Sequence, residues 1–247
     1  NTNYGALKFL TNGTSDWIIG NRETSDSNLH IFSYGTVADA MVIERSTGNV
    51  GIGTTSPGSI LALGGTAARI FGMDRNTTAA TAGQGFTISS GGAIAGTADL
   101  AGGDLTLKSG TSTGTGSSAI RFFTATAGST GITDNAPTEK VTILNNGNVG
   151  IGTTAPGALL ELKKTSSAAS VETLRLWNAD NAPNTGNKIT FGGGTSYTEH
   201  GSIESYFTGA NLGTLAFRTR NASNSDIRML IDSQGNVGIG QTAPVAK

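Results

Sequence analysis

The sequence contains no cysteine, which removes disulfide cross-links and thiolate metal ligation and leaves the redox compartment open. Charge is scarce: charged residues make up 13% of the chain, about half the usual ~25%. With 16 basic and 17 acidic side chains the net charge is −1, so no nucleic-acid or polyphosphate partner is expected. Aromatics reach only 6%, too few to build large aromatic cores. No apolar run approaches the ~18 residues of a helical membrane span, and no basic-then-apolar leader precedes Asn1, so neither membrane insertion nor a visible export signal is expected. The absent initiator methionine reads as a fragment or a processed product.

Glycine is what the chain has in excess, with 37 in 247 residues, about twice the ordinary ~7% share. That argues against helical packing, and Ser, Thr and Asn supply a polar surface without charge. The organising stretch runs from Gly48 to Pro57, Gly-Asn-Val-Gly-Ile-Gly-Thr-Thr-Ser-Pro. It returns from Gly147 to Pro156 with Ala155 in place of serine, and from Gly235 to Pro244 with Gln241 and Ala243 as changes. The shared asparagines fall at 49, 148 and 236, so one device punctuates modules of unequal length.

Each copy reads as a hairpin followed by a turn. Met41–Glu44, Val141–Leu144 and Met229–Asp232 are short apolar strands, and glycine then supplies the positive φ that a tight hairpin needs. The first loop is one residue longer than the others. In the returning Val-Gly-Ile-Gly strand both branched residues face one way and both glycines the other. The expectation is that Val50, Ile52, Val149, Ile151, Val237 and Ile239 are buried while Gly51, Gly53, Gly150, Gly152, Gly238 and Gly240 lie against another backbone. These twelve are the candidate assembly residues.

A short apolar strand followed by this Gly-Asn-Val-Gly-Ile-Gly-Thr-Thr-(Ser/Ala)-Pro pattern resembles modules in the shafts of phage tail fibres and related surface proteins that end in an endosialidase-type intramolecular chaperone. The resemblance is specific over the three copies; linking segments such as Gly102–Gly110 are similar only in flavour. It implies an all-β, non-enzymatic, parallel homotrimeric fibre segment, elongated and intertwined in a β-prism or β-helix-like manner. Its localisation would be the virion or an extracellular surface.

The expected modules are residues 1–57, 58–156 and 157–247. Strands are expected in the first at Ala6–Leu10, Asp16–Gly20, Asn28–Phe32 and Met41–Glu44. In the Gly/Ala/Thr-rich second they are expected at Ile60–Leu63, Gly85–Ser89, Asp104–Lys108 and Ala119–Phe123. Those of the third are Leu159–Leu162, Leu174–Trp177, Lys188–Phe191, Ser202–Phe207 and Thr214–Arg218. The first two devices continue into a strand after proline, whereas the third stops at Lys247, so a longer natural chain is expected.

Chemistry-bearing patterns are few. Gly48-x-x-Gly51-x-Gly53 falls within a strand with no helix pattern after it, unlike a dinucleotide loop. Lys108-Ser109 lacks the glycine of a phosphate loop, and no calcium-loop spacing occurs. His30 and His200 fall in different modules, so no metal site, cofactor or catalytic residue is assigned. Glu199 and Glu204 are close, with Asp180 upstream, but an odd separation in a continuous strand would place the two glutamates on opposite faces, against a depolymerase pair. Trp177, Tyr197, His200 and Tyr206, with Trp17, are the candidates for contact with a host glycan or protein.

Overall fold

The computed structural model describes residues 5–21, 27–36, 38–128, 130–165, 171–180, 182, 184–193, 198–209, 212–221 and 224–245. Among them every regular element is a strand, in three sheets with no closed barrel. The chain divides into two compact units, residues 1–105 and 106–247.

The first unit holds one six-stranded sheet in chain order: β1 (Ala6–Thr11), β2 (Thr14–Gly20), β3 (Leu29–Ser33), β4 (Ala38–Ile43), β5 (Val50–Ile52) and β6 (Leu61–Leu63). Asn12 and Gly13, both at positive φ, close β1 onto β2 in a two-residue turn, as an Asn-Gly pair between alternating strands should. The second unit holds two sheets. One is β7 (Ile120–Thr124), β8 (Thr138–Ile143), β9 (Val149–Ile151) and β10 (Leu160–Leu162); the other is β11 (Gly186–Gly193), β12 (Thr198–Gly209), β13 (Leu212–Arg220), β14 (Ser225–Ile231) and β15 (Val237–Ile239).

Each sheet contains one copy of the repeated device, and the three copies are built alike. The pairs β4–β5, β8–β9 and β14–β15 are antiparallel, placing Val42 opposite Gly51, Thr142 opposite Gly150 and Leu230 opposite Gly238. Gly48, Gly147 and Gly235 have φ of 76°, 86° and 82° in the turns. The longer first loop is absorbed locally: Gly48 N–H donates to Glu44 O four residues back, whereas Gly147 and Gly235 reach three residues back, to Leu144 and Asp232. Beyond the strand the geometry reconverges, since Gly53, Gly152 and Gly240 donate to the carbonyls of Ala40, Lys140 and Arg228.

In the first two copies the chain then crosses beneath the hairpin and forms a strand parallel to the one it has just left, β6 beside β5 and β10 beside β9. Parallel neighbours ordinarily need a crossover of about a dozen residues or more. Here residues 53–60 and 152–159 suffice because the path runs directly under glycine. A Cβ on Gly51 would stand 2.3 Å from Thr54 O, and one on Gly150 2.4 Å from Thr153 O. Asn49 and Asn148 fasten the crossover by donating Nδ2–H to Pro57 O and Pro156 O at 3.1 and 3.0 Å. Both prolines are buried.

Two sequence expectations are corrected. Inside the chain the glycine face is the covered one: Gly51, Gly150 and Gly238 are buried, whereas Val50 and Val149 are only half-buried and Ile52, Ile151, Val237 and Ile239 are exposed, Ile239 at 81%. The backbone lying against Gly51, Gly150 and Gly238 is the chain's own, at Thr54, Thr153 and Gln241. Gly53 and Gly152, though exposed, face Gly64 O and Lys163 O; exposed Gly240 meets no backbone within 4 Å, against the expectation. Secondly, Gly85–Ser89, Asp104–Lys108 and Leu174–Trp177 alternate like strands but are in no sheet. A strand requires a partner for its N–H and C=O groups, and the chain gives these segments none of the sheet type. Their Phe86, Ile88, Leu105, Leu107, Leu174 and Leu176 remain exposed.

Candidate functional site

Residues in register across a sheet share a face. In the first sheet one such row is Leu7, Ile19, Ile31, Met41, Ile52 and Leu63, one from each strand. Beside it run Leu29, Ile43, Val50 and Leu61. The second sheet repeats the arrangement with Phe122, Val141, Ile151 and Leu162 and with Ile120, Ile143, Val149 and Leu160. In the third, Ile189, Ile203, Phe217, Met229 and Ile239 span all five strands. Every one of these rows ends on or passes through a Val or an Ile of the device. Leu7, Ile52, Phe122, Leu160 and Ile239 are exposed at 60%, 47%, 44%, 59% and 81%.

The opposite faces mix small and polar residues with the buried apolar side chains Ile18, Phe32, Val42, Ala216 and Leu230. In the first sheet Ala6, Gly20, His30, Val42, Gly51 and Ala62 are in register. His30, unassigned from sequence, is buried there with its Nδ1 2.9 Å from Asp39 Oδ1. The second sheet has Arg121, Thr142, Gly150 and Glu161. Thr142 is fully buried, and its Oγ1 has no hydrogen-bond partner among the described residues.

The third sheet places Lys188, Glu204, Ala216, Leu230 and Gly238 in one row. A bulge at His200 shifts the pairing so that Gly192 faces Glu199 while Phe191 faces Gly201. Glu199 thereby joins Glu204 on the same face, correcting the parity expected of a continuous strand. Lys188 Nζ lies 2.7 Å from Glu199 Oε2, Ser225 Oγ donates to Glu199 Oε1 at 3.0 Å, and Arg218 pairs with Glu204 while its Nη1 reaches Ser225 O at 3.3 Å. The Lys188 bond, with lesser help from Ser225, holds the Glu199 carboxyl below the ordinary range. At the start of β11 the same face opens into a cleft of about 400 Å³ lined by Asn184, Gly186, Asn187, Lys188, Glu204, Ser205, Tyr206 and Arg218.

Of the candidate contact residues, Tyr206 lines this cleft. Trp177 is 77% exposed and immediately precedes Asn178, whose Nδ2 donates to Gly186 O at 3.2 Å. His200 is exposed at the bulge, Trp17 sits on the apolar face of the first sheet, and Tyr197 lies outside the described residues. Sequence reasoning missed Arg218 and Lys188, because only strand register brings them together. The asparagine clamp was legible in principle, since Asn and Pro keep the same spacing in every copy.

Among the described residues the chain is all-β, in three sheets that each hold one Val-Gly-Ile hairpin. No protein-family model matches it, and no curated protein matches it either.

Proposed function

We propose that the chain is a structural segment of a homotrimeric fibre, of the kind found in phage tail fibres, that carries or contributes to attachment at a host surface. The observation that carries this reading is the set of continuous apolar rows, which repeats in all three sheets and always includes a Val or an Ile of the device. Open apolar faces of this extent mark interaction surfaces. Their repetition at three places in one chain suits a partner carrying the same repeats, which is another copy of the same chain. The threefold order and parallel arrangement come from the resemblance of the device to tail-fibre shaft modules.

A non-enzymatic role is supported by the ion pairing of both glutamates on the third sheet. Glycoside hydrolysis uses a carboxylic acid whose pKa is raised, whereas Lys188 pushes Glu199 the other way.

The test is absolute mass by multi-angle light scattering over a concentration series. The expected value is three times 24.9 kDa, lost on replacing Ile151 and Ile239 together by Asp. An open series of masses favours a filament built from the same modules; a folded monomer independent of concentration overturns the assembly reading.

A further inference from the structure

We infer that the cleft on the third sheet is a binding site for a neutral pyranose sugar. The inference rests on the attachment role proposed above but not on the oligomeric state. The site lies on the Lys188–Glu204 face, opposite the apolar row through Ile203 and Phe217, so covering the apolar face leaves it open.

Its chemistry excludes most other ligands. Lys188 is paired with Glu199 and Arg218 with Glu204, so the charges cancel and no excess of either sign remains to capture a phosphate, a sialic acid or a cation. What remains is a dense set of donors and acceptors. Glu204 accepts and the Arg218 fork donates, side by side, which matches two adjacent sugar hydroxyls. Asn184 offers both roles, and the Tyr206 ring, in register with Gly186 on this face, offers an apolar surface to the C–H face of a pyranose.

The site is also built in advance of any ligand. Its charged side chains are held by their partners, with Arg218 and Glu204 only 25% and 14% exposed, which lowers the ordering cost of binding. Gly186 forms part of the floor, where a Cβ would stand 1.9 Å from Ser205 O. The volume, about 400 Å³, falls within the ~300–1,000 Å³ of small-molecule sites. Trp177, exposed and adjacent to Asn178, whose side chain bonds Gly186 O of the cleft, is the candidate for a second ring on a longer saccharide.

The experiment is saturation-transfer NMR on the full 247-residue chain. The probes are methyl glycosides of glucose, galactose, mannose and N-acetylglucosamine, with sialyllactose as the anionic probe. At least one neutral glycoside should bind with a Kd on the order of 1 mM. Glu204→Gln should weaken it about tenfold and, by uncovering Arg218, should gain sialyllactose binding that the parent lacks. Tyr206→Ala, which leaves the Arg218–Glu204 pair in place, should weaken the neutral sugar without that gain.

Binding of no neutral glycoside, a parent preference for sialyllactose, or affinity indifferent to both substitutions overturns the assignment. Mass measured on the same samples separates the two proposals. A trimer that binds no sugar removes the site and leaves the fibre; a monomer that binds one does the reverse.

Discussion

Thr142 gives the sharpest test of how the device is packed. It occupies the position opposite the buried glycine that Val42 fills in the first sheet and Leu230 in the third, and all three side chains are buried. Only Thr142 brings a hydroxyl there, and its Oγ1 lacks a partner among the described residues. A buried unsatisfied hydroxyl costs about 1–3 kcal/mol. Thr142→Val exchanges it for a methyl of similar size in a strand that favours branched residues, so stability should rise by about 1–3 kcal/mol. In a chain of this size that is about 2–4 °C for each kcal/mol. Val42→Thr makes the reverse change at the matching site and should cost a similar amount. Urea unfolding at fixed protein concentration reads both, with the midpoint moving and the slope unchanged. If both variants fall within about 0.5 kcal/mol of the parent, the equivalence of the copies and the burial argument are refuted together.

Gly150→Ala should cost about 1–3 kcal/mol through overpacking, because its Cβ would stand 2.4 Å from Thr153 O. Gly48→Ala meets nothing within 4 Å and should cost only the strain of a positive φ, about 1 kcal/mol; thermal melts distinguish the two. Asn148→Ala removes the 3.0 Å bond to Pro156 O and should cost about 1 kcal/mol, seen first as faster amide exchange at Leu160–Leu162. At Asp232 partial burial works against the charge, but hydrogen bonds from Asn236, Gln234 and Gly235 outweigh it and lower the pKa. The stabilisation is therefore present above the ordinary aspartate value of about 3.9 and is lost as pH falls through the lowered one. Asp232→Asn should flatten that acid limb, and a limb unchanged in a pH series of urea melts would assign it to other carboxylates.

Much of the fold was legible because its signals are local. Asn12-Gly13 specifies a turn on its own, and Val-Gly-Ile after a glycine turn specifies a returning strand wherever it occurs. The burial sense was not legible. Alternation separates the glycines from Val50 and Ile52 but does not say which side is covered; that is decided by a crossover whose path depends on Gly51 and on the Asn49 clamp. The carboxylates failed for a related reason, since one bulge residue, His200, reverses the parity of everything before it. Phe86, Leu105 and Leu174 sit in patterns that read as strands because sequence records the face a strand would present but not whether a neighbour is present to pair with it.

The parallel return of the chain has a bearing on how such a device spreads. Gly53 N–H bonds to Ala40 O on one side of β5, and Gly64 N–H bonds to Ile52 O on the other. Entry and exit therefore lie at the same end of the hairpin, about 10 Å apart, two strand spacings. The polypeptide makes a detour and comes back almost to its starting point. A gene segment encoding residues 40–64 could be duplicated, excised or moved with little displacement of the flanking path.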